Sequence, residues 1–189
     1  MSSGTDNVNN PHPSQPTAEV VTTLVSTPGH TIGPFFHNAF HWANVDGAAA
    51  AGVDGTGHLR IEGTVVDGAG EPIPAWLVEA WVPQAVEAET AAGMPAPGFR
   101  RLPNAPDGRF VFHVPRPAPR QPVAFVTLFG LGLTRHFCTA VFVGSDGDLL
   151  DAVPEARRQT LIARPLGDDR YEWTIRTQGE AETVFFDYR

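Results

Sequence analysis

The chain has 189 residues, of which 42% are hydrophobic, with 18 prolines, 19 glycines and a formal net charge of -8. That length suits one domain plus a tail, and so many prolines and glycines without a long helical pattern favour short strands and turns, an all-β class. The acidic balance argues against a nucleic-acid or anionic-membrane partner, although a few placed arginines could still bind a small anion. A single cysteine, Cys138, allows no internal disulfide. It fits a reducing compartment and a packed thiol rather than a nucleophile. With no apolar run of transmembrane length and no apolar signal core, the expected location is cytoplasmic.

Residues 1–18 are polar and rich in Pro, Asn and Ser, and read as a disordered leader. Residues 19–42 hold a short strand at Val20–Val25 and then a run dense in Gly and Pro, Thr27 to His37, which carries Phe35 and Phe36 and should pack. Residues 43–57 are a Gly/Ala/Asp-rich link, and residues 58–189 form the main domain. There, Leu59, Ile61, Val65 and Val66 give a first strand, and Asp67-Gly68-Ala69-Gly70 a turn. A second strand follows, with Trp76, Val78, Ala80 and Val82 on one face and Leu77, Glu79 and Trp81 on the other. The pattern reads as a β-hairpin covered on both faces. Pro72 and Pro74 mark the strand entry.

Pro83–Pro97 is a loop with a short helix around Ala85–Ala92. Arg109–Val114 alternates after the turn Asp107-Gly108, while Val123–Phe129 and Phe137–Val143 read as central strands, apolar on both faces. Pro154 suits the first turn of one helix over Val153–Ala163. Tyr171–Arg176 and Thr183–Asp187 are expected to close the sheets. The fold class is a two-layer β-sandwich with one short helix.

Seven histidines invite a metal. His37 and His41 stand four apart, as a helical ligand pair would, but no acid lies near, and partly exposed imidazoles are the preferred reading. No nucleophile elbow or phosphate-binding Gly loop is present. The residues alone give no catalytic set.

Three stretches carry a resemblance. Thr27-Pro28-Gly29-His30-Thr31-Ile32-Gly33-Pro34-Phe35-Phe36 is similar to TPSQTxGPYF, and the run from Ile61 to Trp81 to G-x-V-x-D-x-x-G-x-P-V…VEIW. Arg157-Arg158 through Ala163, with Ile175 to Asp187, is similar to RR-x-TLIA…IR-x-QGE-x-ETVFFD. Together they resemble the α subunits of protocatechuate 3,4-dioxygenases, within the intradiol ring-cleaving dioxygenases of aromatic catabolism (the β-ketoadipate pathway). The ending is the most specific part. The resemblance implies an intradiol-type sandwich in a hetero-oligomer whose homologous β subunit holds a non-haem ferric iron through two tyrosines and two histidines. It implies cleavage of an ortho-dihydroxybenzoate, a small aromatic diol, by O₂.

In the iron-bearing chains a His-x-His lies on the strand matching Pro122–Thr127. Here Val123 and Phe125 stand there, and no tyrosine precedes Tyr171. A ferric site of that type is not expected in this chain. The resemblance instead makes Thr31, Gly33, Pro34 and Phe35 a wall of the partner's pocket. Gly33 allows close backbone approach, Pro34 stiffens the run, Phe35 offers a flat ring and Thr31 a hydroxyl. Two departures concern the substrate carboxylate. Leu131 stands where an F-A-R-G arginine would pair with it, and Cys138-Thr139-Ala140 replaces H-T-R. Arg135 is the nearby candidate substitute. Two further readings stay open: a degenerate structural paralogue in the same assembly, or a free-standing β-sandwich binding module.

Overall fold

A computed structural model describes residues 58–103 and 105–187. Among these residues eight strands form two four-stranded sheets. The first, in the order β4-β1-β8-β7, is built from β1 (His58–Val66), β4 (Arg109–Pro115), β7 (Arg164–Gly167) and β8 (Arg170–Arg176). The second, in the order β3-β2-β5-β6, contains β2 (Trp76–Trp81), β3 (Phe99–Pro103), β5 (Ala124–Gly130) and β6 (Phe137–Val141). All pairings are antiparallel except β1 with β8. Strict alternation explains the layering. Leu59, Ile61, Phe110, Phe112, Val114, Trp173 and Ile175 point inward from one sheet, and Val78, Ala80, Val126 and Leu128 from the other, into one buried core. The two-layer β-sandwich expected from the sequence is therefore the architecture observed.

Close packing sets one glycine in β1. Gly63 faces Phe110 across the ladder, and a Cβ there would lie 2.0 Å from the Phe110 ring. Only a residue without a side chain lets that ring lie flat on the strand.

The expected hairpin is not formed. The turn itself is real, closed by Asp67 N to Glu71 O and by Asp67 Oδ1 accepting from Ala69 N and Glu71 N. A bridge from Val66 to Pro72 ends the pairing, and Ala75, at φ 59°, redirects the chain. β1 and β2 consequently lie in opposite sheets, joined by an arch over the end of the core. The two faces of β2 are as expected, but Trp81 is 46% exposed rather than covered.

The helix expected over Val153–Ala163 is divided. After α1 (Val86–Ala91), which lies within the expected loop helix, come α2 (Asp148–Asp151), α3 (Glu155–Arg158) and a 3₁₀ turn at Gln159–Leu161. Pro154 caps α3 instead of entering its first turn. Phe142 then captures the chain, donating to Leu161 O and accepting from Ala163 N, which draws Ile162 and Ala163 into extended backbone. A small second core of Ala140, Phe142, Leu150, Val153 and Leu161 lies under these helices. β6 is an edge strand, not a central one. Thr183–Asp187 is no strand, but an irregular segment holding β6 by one bridge, Cys138 to Phe186.

Candidate functional site

The site residues expected at Thr31, Gly33, Pro34 and Phe35 lie outside the described residues. The other two, Leu131 and Arg135, fall on the connection between β5 and β6. Leu133 N donates to Gly130 O at 3.1 Å, and Gly132 has φ 81°. A turn that needs positive φ at its third residue takes glycine there, which leaves Leu131 on the corner, 57% exposed. Gly130 is also required by packing, since a Cβ there would meet the Trp76 indole at 2.8 Å.

Arg135 leads into β6 and forms an ion pair with Asp187 at 3.3 Å, both side chains being more than half exposed. Beside it the His136 ring tilts onto Phe129, with centroids 5.1 Å apart, and Phe137 stacks on Phe185 at 4.5 Å. Arg135, Phe137, Cys138 and Asp187 line a shallow hollow of 250 Å³, which Leu131 does not line. The two expected pocket residues thus lie on one connection, Leu131 on its turn and Arg135 at the hollow beside β6. Cys138 faces outward in this hollow, where burial pushes its thiol up and the Thr127 hydroxyl beside it partly offsets that. A thiol raised in this way is a poor nucleophile.

The positions that would carry an iron-binding His-x-His do not fit a metal. Val123 is fully buried in the core, and Phe125 points outward with only a hydrocarbon ring to offer. The whole chain has two tyrosines, Tyr171 and Tyr188. Among the described residues no group of three or more His, Cys, Asp or Glu could hold a metal ion.

The characteristic C-terminal stretches meet elsewhere. Thr160 Oγ1 donates to Arg157 O and accepts from Val184 N, while Trp173 Nε1 donates to Thr160 O. Arg157 Nη2 donates to Glu182 O, and Thr183 and Arg176 exchange two hydrogen bonds. Arg176 Nη1 continues to the carbonyls of Asp67 and Gly68 in the arch. These bonds clasp α3 and the C-terminal segment to β8 around a hollow of 680 Å³ lined by Arg157, Thr160, Arg176 and Glu182. The sequence signal there was plain, but its content is a hydrogen-bonded clasp.

Comparison with known proteins relates this arrangement to others. The chain is 29% identical over 202 residues to the protocatechuate 3,4-dioxygenase α chain of Burkholderia cepacia, covering 88% of this chain and 100% of that one. It is 27% identical over 200 residues to the α chain of the same name from Pseudomonas putida, covering 87% and 98%. The likeness takes in nearly the whole length of these α chains and close to nine-tenths of this one. No family model matches it. Among solved structures it is similar to the dioxygenase domain of a dioxygenase–carbohydrate-binding protein fusion from Streptomyces sp. SirexAA-E, with a TM-score of 0.47, 18% identity, and coverage of 67% of this chain and 84% of that one. It is also similar to 3-chlorocatechol 1,2-dioxygenase from Rhodococcus opacus 1CP, with a TM-score of 0.46, 16% identity and coverage of 66% and 61%. Among the described residues no helix is long and apolar enough to cross a membrane.

Proposed function

We propose that this chain is the α subunit of a protocatechuate 3,4-dioxygenase-like complex, binding no iron itself and shaping the active site of a homologous β subunit. In that complex the ferric iron would belong to the β subunit, where it supplies the O₂ chemistry that opens an ortho-dihydroxybenzene between its two hydroxyl-bearing carbons to a cis,cis-muconate. Thr31, Gly33, Pro34 and Phe35 would form one wall of the aromatic pocket, with the β5–β6 connection carrying Leu131 and Arg135 beside it. The observation that carries this reading is the likeness to α chains over 88% of this chain, combined with hydrocarbon at both histidine positions, Val123 and Phe125. A fold kept while the ligand atoms are absent supports a role next to the chemistry rather than in it.

The test is co-expression with a β-type subunit, followed by iron analysis and an assay for ring cleavage. The expected result is one iron per β subunit, none on the isolated chain, and turnover only from the assembled complex. A stoichiometric, visible-absorbing iron site on the isolated chain would overturn the reading. A stable monomer that takes up no β-type subunit would point to a free-standing binding module. Leu131 in place of the carboxylate-pairing arginine favours a second reading, a paralogue retained in the assembly for structure alone.

A further inference from the structure

The chain has no lysine, so its fixed positive side chains are all arginines. Among the described residues every arginine except Arg176 forms an ion pair with a carboxylate. That exception is unexpected in a chain whose formal net charge is -8. Arg176 ends β8 and lines the 680 Å³ hollow beside the C-terminal clasp. Its backbone is fixed by the two hydrogen bonds it exchanges with Thr183. Its guanidinium is fixed through one nitrogen, Nη1 donating to Asp67 O at 3.0 Å and to Gly68 O at 3.1 Å. The Asp67 side chain serves the arch instead, Oδ1 accepting from Ala69 N and Glu71 N.

Two carbonyl oxygens supply no full negative charge. They also leave the other edge of the planar guanidinium unused. Nε and Nη2 lie side by side on that edge, and such a fork matches both oxygens of a carboxylate. Neither atom is buried, and neither has a partner among the described residues. The remainder of the hollow suits the rest of a ligand. Arg157 on α3 lines it and is held by Glu182, Nη2 lying 3.8 Å from Oε1. With no other charged side chain in the lining, two guanidiniums against one carboxylate leave a single positive charge in excess. Ala156 and Ala181 add methyl groups, and Gln159 and Thr174 add polar ones. The volume falls in the range of small-molecule pockets, ~300–1,000 Å³.

We propose that this hollow binds a small organic carboxylate, whose two oxygens Arg176 takes through Nε and Nη2 while Arg157 adds its charge. The single excess charge selects a monoanion, because a doubly charged phosphate would set uncompensated charge against Glu182. Anchoring to the arch removes side-chain freedom from Arg176 before the ligand arrives, so less ordering remains to be done at binding. The inference does not depend on the α-subunit reading, since every residue it uses belongs to this chain.

The experiment titrates benzoate, hexanoate and inorganic phosphate into the full chain alone, at fixed ionic strength, by isothermal titration calorimetry. At least one of the carboxylates should bind at a single site with a Kd of about 1 mM or tighter, and phosphate should bind more weakly. Thr174→Glu puts a carboxylate into the hollow from an exposed strand position and should weaken binding by about tenfold or more. Arg176→Lys keeps the charge and can donate to the arch carbonyls, but it lacks the fork and should weaken binding by a similar factor. Arg164→Gln, outside the hollow and paired with Glu172, should change nothing. No saturable binding of either carboxylate, or tighter binding of phosphate, would overturn the proposal. So would binding that survives Thr174→Glu, or a loss in Arg164→Gln as large as in the hollow variants, which would trace the attraction to overall charge. Unchanged binding by a folded Arg176→Lys would overturn the forked contact. If that variant does not fold, Thr174→Glu decides, because its side chain stands in solvent.

Discussion

Arg100 and Glu89 show how much a single pair of residues can decide here. Both are buried, at 0% and 1% exposure, which is rare for charged side chains. Arg100 grips the Glu89 carboxylate through both terminal nitrogens, Nη2 to Oε1 and Nη1 to Oε2, while Gly98 N donates to Glu89 Oε2 at 2.6 Å. Arg100 Nη1 also reaches Phe99 O. The pair thereby ties α1 to β3 and closes the loop between them. Its net contribution is small, because desolvating two ions cancels most of their attraction, but breaking it strands a buried charge. Glu89→Ala should therefore cost ~3–5 kcal/mol. Denaturant unfolding of Glu89→Ala beside a Glu89→Leu/Arg100→Met double variant checks this. The double variant should recover most of the loss, and equal losses would show that packing, not the stranded guanidinium, sets the cost.

At the scale of elements, the β1–β4 ladder adds a pH dependence. His113 on β4 is opposite Arg60 on β1, with His58 nearby, and burial chiefly, then these two neighbours, push its imidazole below the usual 6.5. Above pH 6.5 both folded and unfolded states are neutral at this position. Below it the unfolded chain takes up a proton that the folded chain resists, so stability falls with falling pH until the folded imidazole also protonates. A lower thermal midpoint at pH 5.5 than at pH 7.5, with a shallower slope in His113→Gln, is the expected outcome. Glu62, held below the usual 4.5 by hydrogen bonds from Arg170 and Arg60, loses its own contribution only under more acid conditions.

These same elements show what could be read from the residues. Inward alternation in β2 and β4 was visible because one face of each meets a core, whereas β5 read as apolar on both faces because Phe125 and Phe129 lie on its outer side. The placing of β1 and β2 in opposite sheets was not visible, since alternation is identical whether two strands share a sheet or face each other across it. β7, exposed at all four residues, has no apolar pattern to detect. β3 hid behind its two arginines, one of which is buried only because Glu89 meets it. The helix was misjudged because Ala156, Leu161 and Ile162 serve different ends, and Phe142, distant in sequence, takes the backbone of Leu161 and Ala163. In the candidate site Leu131 and Arg135 were found through the resemblance and not as a turn, while the exposed pairing of Trp81 with Phe125 depended on register.

For the whole molecule, the proposed complex would have to select its substrate without an arginine at position 131. A hydrogen bond between a guanidinium and an ionised carboxylate contributes ~1.5–3 kcal/mol. Its absence should narrow the preference for a carboxylated over an uncarboxylated catechol by roughly tenfold to a hundredfold. Position 131 is suited to a restored side chain, because Leu131 stands exposed on its turn and presses on no core. Leu131→Arg should accordingly leave the fold unchanged and raise kcat/KM for protocatechuate relative to catechol by about that factor. The comparison is made on the complex with its β subunit, with both substrates assayed on both variants. A strong protocatechuate preference already present in the wild type would mean that another cation, Arg135 or one from the partner, holds the carboxylate. Arg135 is engaged with Asp187 at 3.3 Å, so Asp187→Asn should then alter the wild-type preference if Arg135 is that cation. A complex that cleaves substrate with kinetics indifferent to residues 131 and 135 alike would place the β5–β6 connection away from the substrate. In that case the chain would serve the assembly through its surface alone.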